Sequence, residues 1–347
     1  MNLYIHVPFC VRKCNYCAFY SLCPDTIDWD DYAAGILGQL DELQRFTNHE
    51  PRITTLFFGG GTPSLMPPKY AEKIVGKLRL APDAEFSMEA NPKTLNPREL
   101  KDWKDLGLDR LSVGMQSFDD EELRFLGRIH GARDALDLLN AANDLKLRVN
   151  GDFIYGLPNQ KVSDVIKLCE KINAIGLKSA SLYELTPEAG TSFQNMPPVS
   201  EKLSAEMYSA IQRTLKLPRY EVSNYGDPCR HNMNVWTGGE YMGVGESAAG
   251  RIIKNGKWFE TKITGGEIAI GELTDAERAA EILMTGLRTK WGVSIASLPK
   301  DVIDWNFVAN NPTYFVHEPR TTNHGPRLRM TDSGISVLDA LLPKVIK

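Results

Sequence analysis

No run of apolar residues in this 347-residue sequence approaches the roughly 20 that a membrane helix needs. The amino terminus, Met1-Asn2-Leu3-Tyr4-Ile5-His6-Val7, lacks the basic region and apolar core of a secretory signal. Both absences lead to the expectation of a cytoplasmic protein whose first residues form a strand. Positive charge is not in excess either: 40 Lys and Arg face 44 Asp and Glu, for a formal net charge of -4. Without a global basic field, a nucleic-acid partner is not expected. Low-complexity tracts and long internal repeats are also missing. What is present is ordinary for a globular chain, with 42% hydrophobic and 24% charged residues. The length suits one large domain plus a smaller one.

Cysteine is scarce but unevenly placed. Of six, Cys10, Cys14, Cys17 and Cys23 share one short segment, while Cys169 and Cys229 stand alone. In a reducing compartment such clustering points to a metal or redox site rather than a disulfide framework. Cys169 sits in an apolar helical pattern and reads as a buried structural thiol.

From residue 1 to about 217, β-rich runs alternate with helical patterns. Strands are expected near 3–7, 53–58, 85–89, 110–115, 148–154 and 179–185. Helices are expected over 28–46, 68–80, 97–106, 119–126, 132–145, 162–175 and 200–217. Asn96-Pro97 and Ser200 mark two of the helix starts. Six βα units imply an α/β fold with parallel strands and right-handed crossovers, either doubly wound or an incomplete (β/α)6 barrel of TIM type. Either arrangement places function at the carboxyl ends of the strands. Residues 218–347 read as a smaller α+β domain, possible as a winged helix but without a basic face. In it, 220–250 reads as strand and loop, 274–289 as a helix, and 333–345 as a final apolar helix.

Cys10-Val-Arg-Lys-Cys14-Asn-Tyr-Cys17 follows the first strand directly. Three thiols in eight residues suit a [4Fe–4S] cube with one iron left open for a reactant. S-adenosylmethionine (SAM) can chelate such an iron through its amino and carboxylate groups. A zinc knuckle using Cys23 would want a second paired Cys element, which the sequence lacks. Cys23 stays open as a fourth cluster ligand or a free thiol. The second strand ends in Phe57-Phe58-Gly59-Gly60-Gly61-Thr62-Pro63, whose glycines let backbone approach a ligand. Glu89, Gln116, Arg128 and Asp152 follow at later strand ends, a carboxylate and guanidinium set able to hold a zwitterionic nucleoside. A dinucleotide-like Gly243-Val-Gly245-Glu-Ser-Ala248 lies late in the chain without strand–turn–helix context and is set aside.

Residues 3–21 resemble the radical SAM motif of the oxygen-independent coproporphyrinogen III oxidase family, and the likeness runs through most of the chain. The resemblance implies cluster ligation by Cys10, Cys14 and Cys17. It implies SAM contacts from Tyr4, Tyr16, Gly60, Gly61, Thr62, Glu89, Gln116, Arg128 and Asp152; His6 reads either as adjusting the cluster from behind or as a satisfied strand histidine. Two branches are distinguished just beyond the third cysteine. The oxidase branch calls for a further cysteine where this chain has Phe19, and the chain begins at its first strand with no extension to cover a porphyrinogen. Both points favour the branch of haem chaperones, which carries a His-Asn-x-x-Tyr-Trp motif. Here it reads His231-Asn232-Met-Asn-Val235-Trp236, with valine at the tyrosine position. The resemblance implies His231 as a haem ligand, with Cys229 an alternative, and haem, a haem acceptor and an electron donor as partners. The acceptor could be a membrane protein. Oxidative decarboxylation of porphyrinogen propionates is the competing activity.

Overall fold

Strand–helix alternation governs the first two-thirds of the chain in the computed structural model, which describes residues 1–48, 50–296, 298–299, 301–321 and 325–347. The strands are β1 (Asn2–Val7), β2 (Ile53–Gly60), β3 (Leu80–Ala90), β4 (Arg110–Gln116), β5 (Arg148–Tyr155) and β6 (Ser179–Glu184). Between them run α1 (Trp29–Thr47), α2 (Pro68–Val75), α3 (Pro97–Asp105), α4 (Asp120–Phe125), α5 (Ala132–Asp144) and α6 (Val162–Ile175), with α7 (Glu201–Thr214) after β6. Asn96 closes a capping box with Glu99, and Ser200 accepts from Leu203 N, so both expected helix starts are present. The helix expected over 68–80 stops at Val75, because β3 starts at Leu80, paired with Ile53 across a bulge.

β1 to β6 lie side by side, all parallel. Every residue of these strands is committed to one of two faces by the two-residue side-chain period. Leu3, Ile5, Leu56, Phe58, Met88, Leu111 and Val113 are buried against Ile36, Leu40, Leu43, Ile74 and Trp103 of the covering helices. The opposite face is also buried, yet polar: Thr55, Glu85, Ser87, Arg110, Ser112, Asn150, Ser179 and Ser181. Burying polar groups is costly unless they are paired. Here Asn150 Nδ2 donates to Ser112, Asp152 and Ser181, binding three strands together at 2.8–3.0 Å.

Beyond residue 217 come β7 (Asn224–Gly226), α8 (Arg230–Trp236), β8 (Tyr241–Val244), β9 (Ala249–Lys254), β10 (Lys257–Thr264) and β11 (Glu267–Glu272). All five strands join the same sheet, in the order β11-β10-β9-β8-β1-β2-β3-β4-β5-β6-β7. The segment expected to be strand and loop thus contains a helix, α8, too short to announce itself by periodicity. Next are α9 (Asp275–Gly286), β12 (Val293–Ser294), α10 (Trp305–Asn310), β13 (Phe315–Thr321), β14 (Gly325–Met330), α11 (Asp332–Ile335) and α12 (Leu338–Val345). They enclose a separate core around Leu283, Leu328, Leu338 and Val345. The single final helix expected over 333–345 is two short ones, and Pro343 lies within the second. No helix among the described residues is long and apolar enough to cross a membrane.

Candidate cofactor site

The loop after β1 is held in place from both ends. Leu22 N donates to Pro8 O at 2.6 Å and Cys10 N to Leu22 O at 2.8 Å, so the chain returns to its own starting point. Asn15 N donates to Leu126 O and Asn15 Nδ2 to Phe125 O, which ties the loop's far side to the end of α4. Beneath it, His6 Nε2 lies 3.0 Å from Tyr20 O and Nδ1 2.9 Å from the Tyr4 hydroxyl. A carbonyl can only accept, so Nε2 carries the proton and Nδ1 accepts from Tyr4. Burial lowers the pKa of His6 and keeps it neutral in this role.

The returning loop closes one side of a cavity of about 530 Å³. Cys10, Cys14 and Cys17 all line it, together with Tyr16, Gly60, Gly61, Thr62, Glu89, Gln116, Arg128 and Asp152. Eleven of the twelve residues expected around cluster and SAM therefore meet in one place. The exception is Tyr4, which lies below the cavity with its hydroxyl committed to His6. Cys23 is exposed and lies outside the lining.

The local chemistry suits a cluster with an amino-acid nucleoside beside it. Burial pushes the Cys10 and Cys17 thiols above the ordinary cysteine range, so thiolates there call for cationic partners. Two donors already face the sulfurs: Thr62 Oγ1 lies 3.3 Å from Cys10 Sγ, and Arg128 Nη1 lies 3.3 Å from Cys14 Sγ. The Arg128 guanidinium also reaches the Tyr16 hydroxyl and Gly114 O, while its buried Nε has no partner. The floor is bare backbone. A Cβ at Gly61 would stand 2.8 Å from Phe9 O, and one at Gly114 2.9 Å from Gln116 Nε2. Gln116 itself holds a left-handed backbone (φ 62°), a strain characteristic of ligand sites. Such a cradle fits the cluster and SAM.

Two buried carboxyls complete it. Asp152 accepts from Ser112 and Asn150, both at 2.8 Å, and Glu89 accepts from Gly60 N at 3.0 Å. Burial, then the Asp152 charge, pushes Glu89 up to about 7. A raised carboxyl stabilises the fold fully below its ordinary pKa and loses that contribution as pH rises to the shifted value. The ligand-free protein is therefore expected to lose melting temperature between pH 5 and 8 (a range of about 3 units around the shifted value) more steeply than Glu89→Gln. Thermal melts of both proteins across that range check this, and parallel curves would remove the assignment.

Sequence reasoning missed the far wall, formed by Tyr183, Glu184, Leu185, Thr186 and Glu188 at and just beyond the end of β6. Its only signal was position, since every earlier strand end contributes to the cavity.

His231 lies elsewhere. It is not in an open loop but in α8, with only 4% of its surface exposed. Its Nδ1 pairs with Thr55 Oγ1 at 2.9 Å, and its ring packs near Phe57 and Tyr4. Thr55 is two residues into β2, so this is the opposite end of the strands from the cysteines. Burial lowers the His231 pKa to about 4. Cys229 is wholly buried beside Glu85.

A family model for the radical SAM superfamily matches residues 4–172. The haem chaperone HemW of Escherichia coli is 36% identical over 266 residues, covering 73% of this chain and 70% of that protein. HemW of Synechocystis is 36% identical over 336 residues, covering 85% and 80%. The mitochondrial radical S-adenosyl methionine domain-containing protein 1 of Bos taurus is 34% identical over 313 residues, covering 85% and 70%. Among solved structures, coproporphyrinogen III oxidase (HemN) of Escherichia coli superposes with a TM-score of 0.78, covering 99% of this chain and 89% of that one. At 16% identity, that likeness speaks for the fold.

Proposed function

Because this chain belongs to the radical SAM family, within the coproporphyrinogen oxidase-like group that includes HemW, we propose that it is a haem chaperone. In this reading it binds haem and passes it to an acceptor protein, on a scaffold carrying a [4Fe–4S] cluster and SAM. When bound, cluster and SAM supply one-electron reductive cleavage of a sulfonium. The chain's own residues do the rest. Cys10, Cys14 and Cys17 hold the irons. Arg128 and Thr62 donate to two of the sulfurs, Gly60, Gly61 and Thr62 leave room for the methionine part, and Glu89 and Asp152 offer acceptors to ribose hydroxyls. Tyr16 and Gln116 complete the assigned SAM contacts, with Tyr4 supporting them through His6.

The observation that carries the chaperone over the oxidase is the residue two places beyond Cys17. Phe19 stands where the oxidase branch has a cysteine, and the relatives of 36% identity over most of this chain are haem chaperones. His231 as an iron ligand fits poorly with its burial and its bond to Thr55. A macrocycle would have to displace α8 to reach it.

We read the sheet as an incomplete (β/α)6 barrel. Strand neighbours lie about 4.8 Å apart, so in a flat sheet the ends of β1 and β6 would be about 24 Å apart. Yet Cys10 and Tyr183 line one cavity. A division at residue 217 would cut through this one sheet, so in this reading the first unit runs through β11 and the accessory unit, with its own core, begins at α9. The proposed setting is the cytoplasm, where low oxygen and reducing conditions suit the cluster. An electron donor completes the partners, and an acceptor in a membrane is compatible.

Anaerobic reconstitution with iron and sulfide, then haem titration by absorbance, tests the reading. Stoichiometric haem binding without conversion of coproporphyrinogen III to protoporphyrinogen IX is expected. Turnover of the porphyrinogen would make the protein an oxidase instead.

A further inference from the structure

Large apolar side chains left in water are unevenly distributed. Among the described residues, ten stand out as exposed. Val11, Phe19, Tyr20 and Leu22 belong to the cluster loop, Phe19 and Tyr183 line the cavity, and Phe125 ends the helix to which Asn15 of that loop is bonded. Four of the ten on one short loop form a patch rather than scatter, and such patches mark interaction sites. Phe19 is 71% and Val11 58% exposed, and no described side chain folds over them.

The patch is also rigid. Pro8 and Leu22 are paired by backbone hydrogen bonds, and His6 holds the carbonyl of Tyr20. These side chains are therefore presented outward by a fixed backbone, and a ligand docking there pays little ordering entropy. Cations flank it. Arg12 lies against the Gly127 and Arg128 carbonyls through one nitrogen, leaving its other donors outward, and Lys13 has no ion-pair partner among the described residues.

Building on the chaperone reading, we propose that the haem cargo docks on this rim. Its macrocycle lies on Val11, Phe19, Tyr20 and Leu22, and its propionates pair with Arg12 and Lys13. Haem is a flat apolar body with two carboxylates on one edge, and the rim offers the complement of both. Glu184 and Glu188 line the far wall, so the carboxylate edge turns toward the loop cations.

The test uses the cluster-loaded full chain. Cys23 follows Leu22 and is exposed, whereas the cluster occupies the three loop cysteines and Cys169 and Cys229 are buried. Haem on the rim should slow alkylation of Cys23 by iodoacetamide about tenfold, read by mass spectrometry, and Val11→Asp with Leu22→Asp should weaken haem affinity about tenfold or more. Iron content reports whether that double variant still folds and loads; if it does not, Cys23 protection in the unmodified protein decides. Haem bound stoichiometrically with unchanged Cys23 reactivity, or unchanged affinity in the folded double variant, overturns the site but leaves the chaperone reading intact. No haem binding by the unmodified protein overturns the chaperone reading, and the site with it.

Discussion

Replacing Cys14 with alanine is expected to cost the protein its cluster while leaving its fold. Cys14 is the middle one of the three proposed ligands in eight residues, and its sulfur is the one that faces the Arg128 guanidinium. With two thiolates left, a cube that ordinarily takes four has too few anchors. Iron per chain should fall from about four to below about one after anaerobic reconstitution. Structure should change little, because Cys14 lies in a half-buried loop whose backbone bonds run through its neighbours Asn15 and Cys17. Substitutions of that kind usually move stability by less than about 1 kcal/mol. A variant that keeps its full iron complement would identify a substitute ligand, and Cys23 is the thiol nearest in sequence able to serve. Iron and sulfide analysis beside a urea melt gives both answers from one preparation.

The convergence of Cys10, Cys14 and Cys17 on one cavity is legible in the sequence because the three sit within one loop of eight residues. The strands are legible for a similar reason. Short β-rich runs separated by amphipathic helices admit few arrangements, and the carboxyl ends of parallel strands lie together by topology. What sequence cannot convey is which of the two strand faces is wet. Glu85, Arg110 and Asn150 are polar, yet they are buried on the face turned away from the covering helices, where Glu85 meets the first turn of α8. His231 is misjudged for the same reason. A histidine among Asn, Arg and Trp looks like a loop residue, and only the tertiary arrangement reveals that α8 carries it against β2 and β3. The wall at Tyr183–Glu188 escapes because it follows no motif, only geometry.

The largest loss of stability is expected from Glu85. Its side chain is fully buried at the end of the sheet remote from the cysteines, where β2 and β3 pair Thr55 with Glu85. Oε2 accepts from Arg148 Nη2 at 2.9 Å, and Oε1 accepts from His231 N at 3.2 Å and faces Cys229 Sγ at 3.5 Å. One carboxylate thus joins β5, β3 and the first turn of α8. Burial alone would raise its pKa, but Arg148, Arg110 and a backbone amide outweigh that and hold it below the usual glutamate range. A lowered carboxyl gives stability that is present above its ordinary pKa and lost as pH falls through the shifted value, so acid should release α8. Removing one partner of a buried pair costs about 3–5 kcal/mol. The lower end applies to Glu85→Ala, because Arg148 is 38% exposed and keeps Asp109 at 3.0 Å. Urea unfolding at neutral pH should therefore show a loss of about 3 kcal/mol. A second reading is local: Cys229, wholly buried beside the lost carboxylate, should become open to alkylation in the native variant as α8 loosens. Glu85→Gln should show both effects more weakly, since an amide still accepts from His231 N but no longer pairs with Arg148. If Glu85→Ala unfolds within about 1 kcal/mol of the unmodified protein and Cys229 stays protected, then α8 is held by packing of His231 against Phe57 and Tyr4 rather than by this charge.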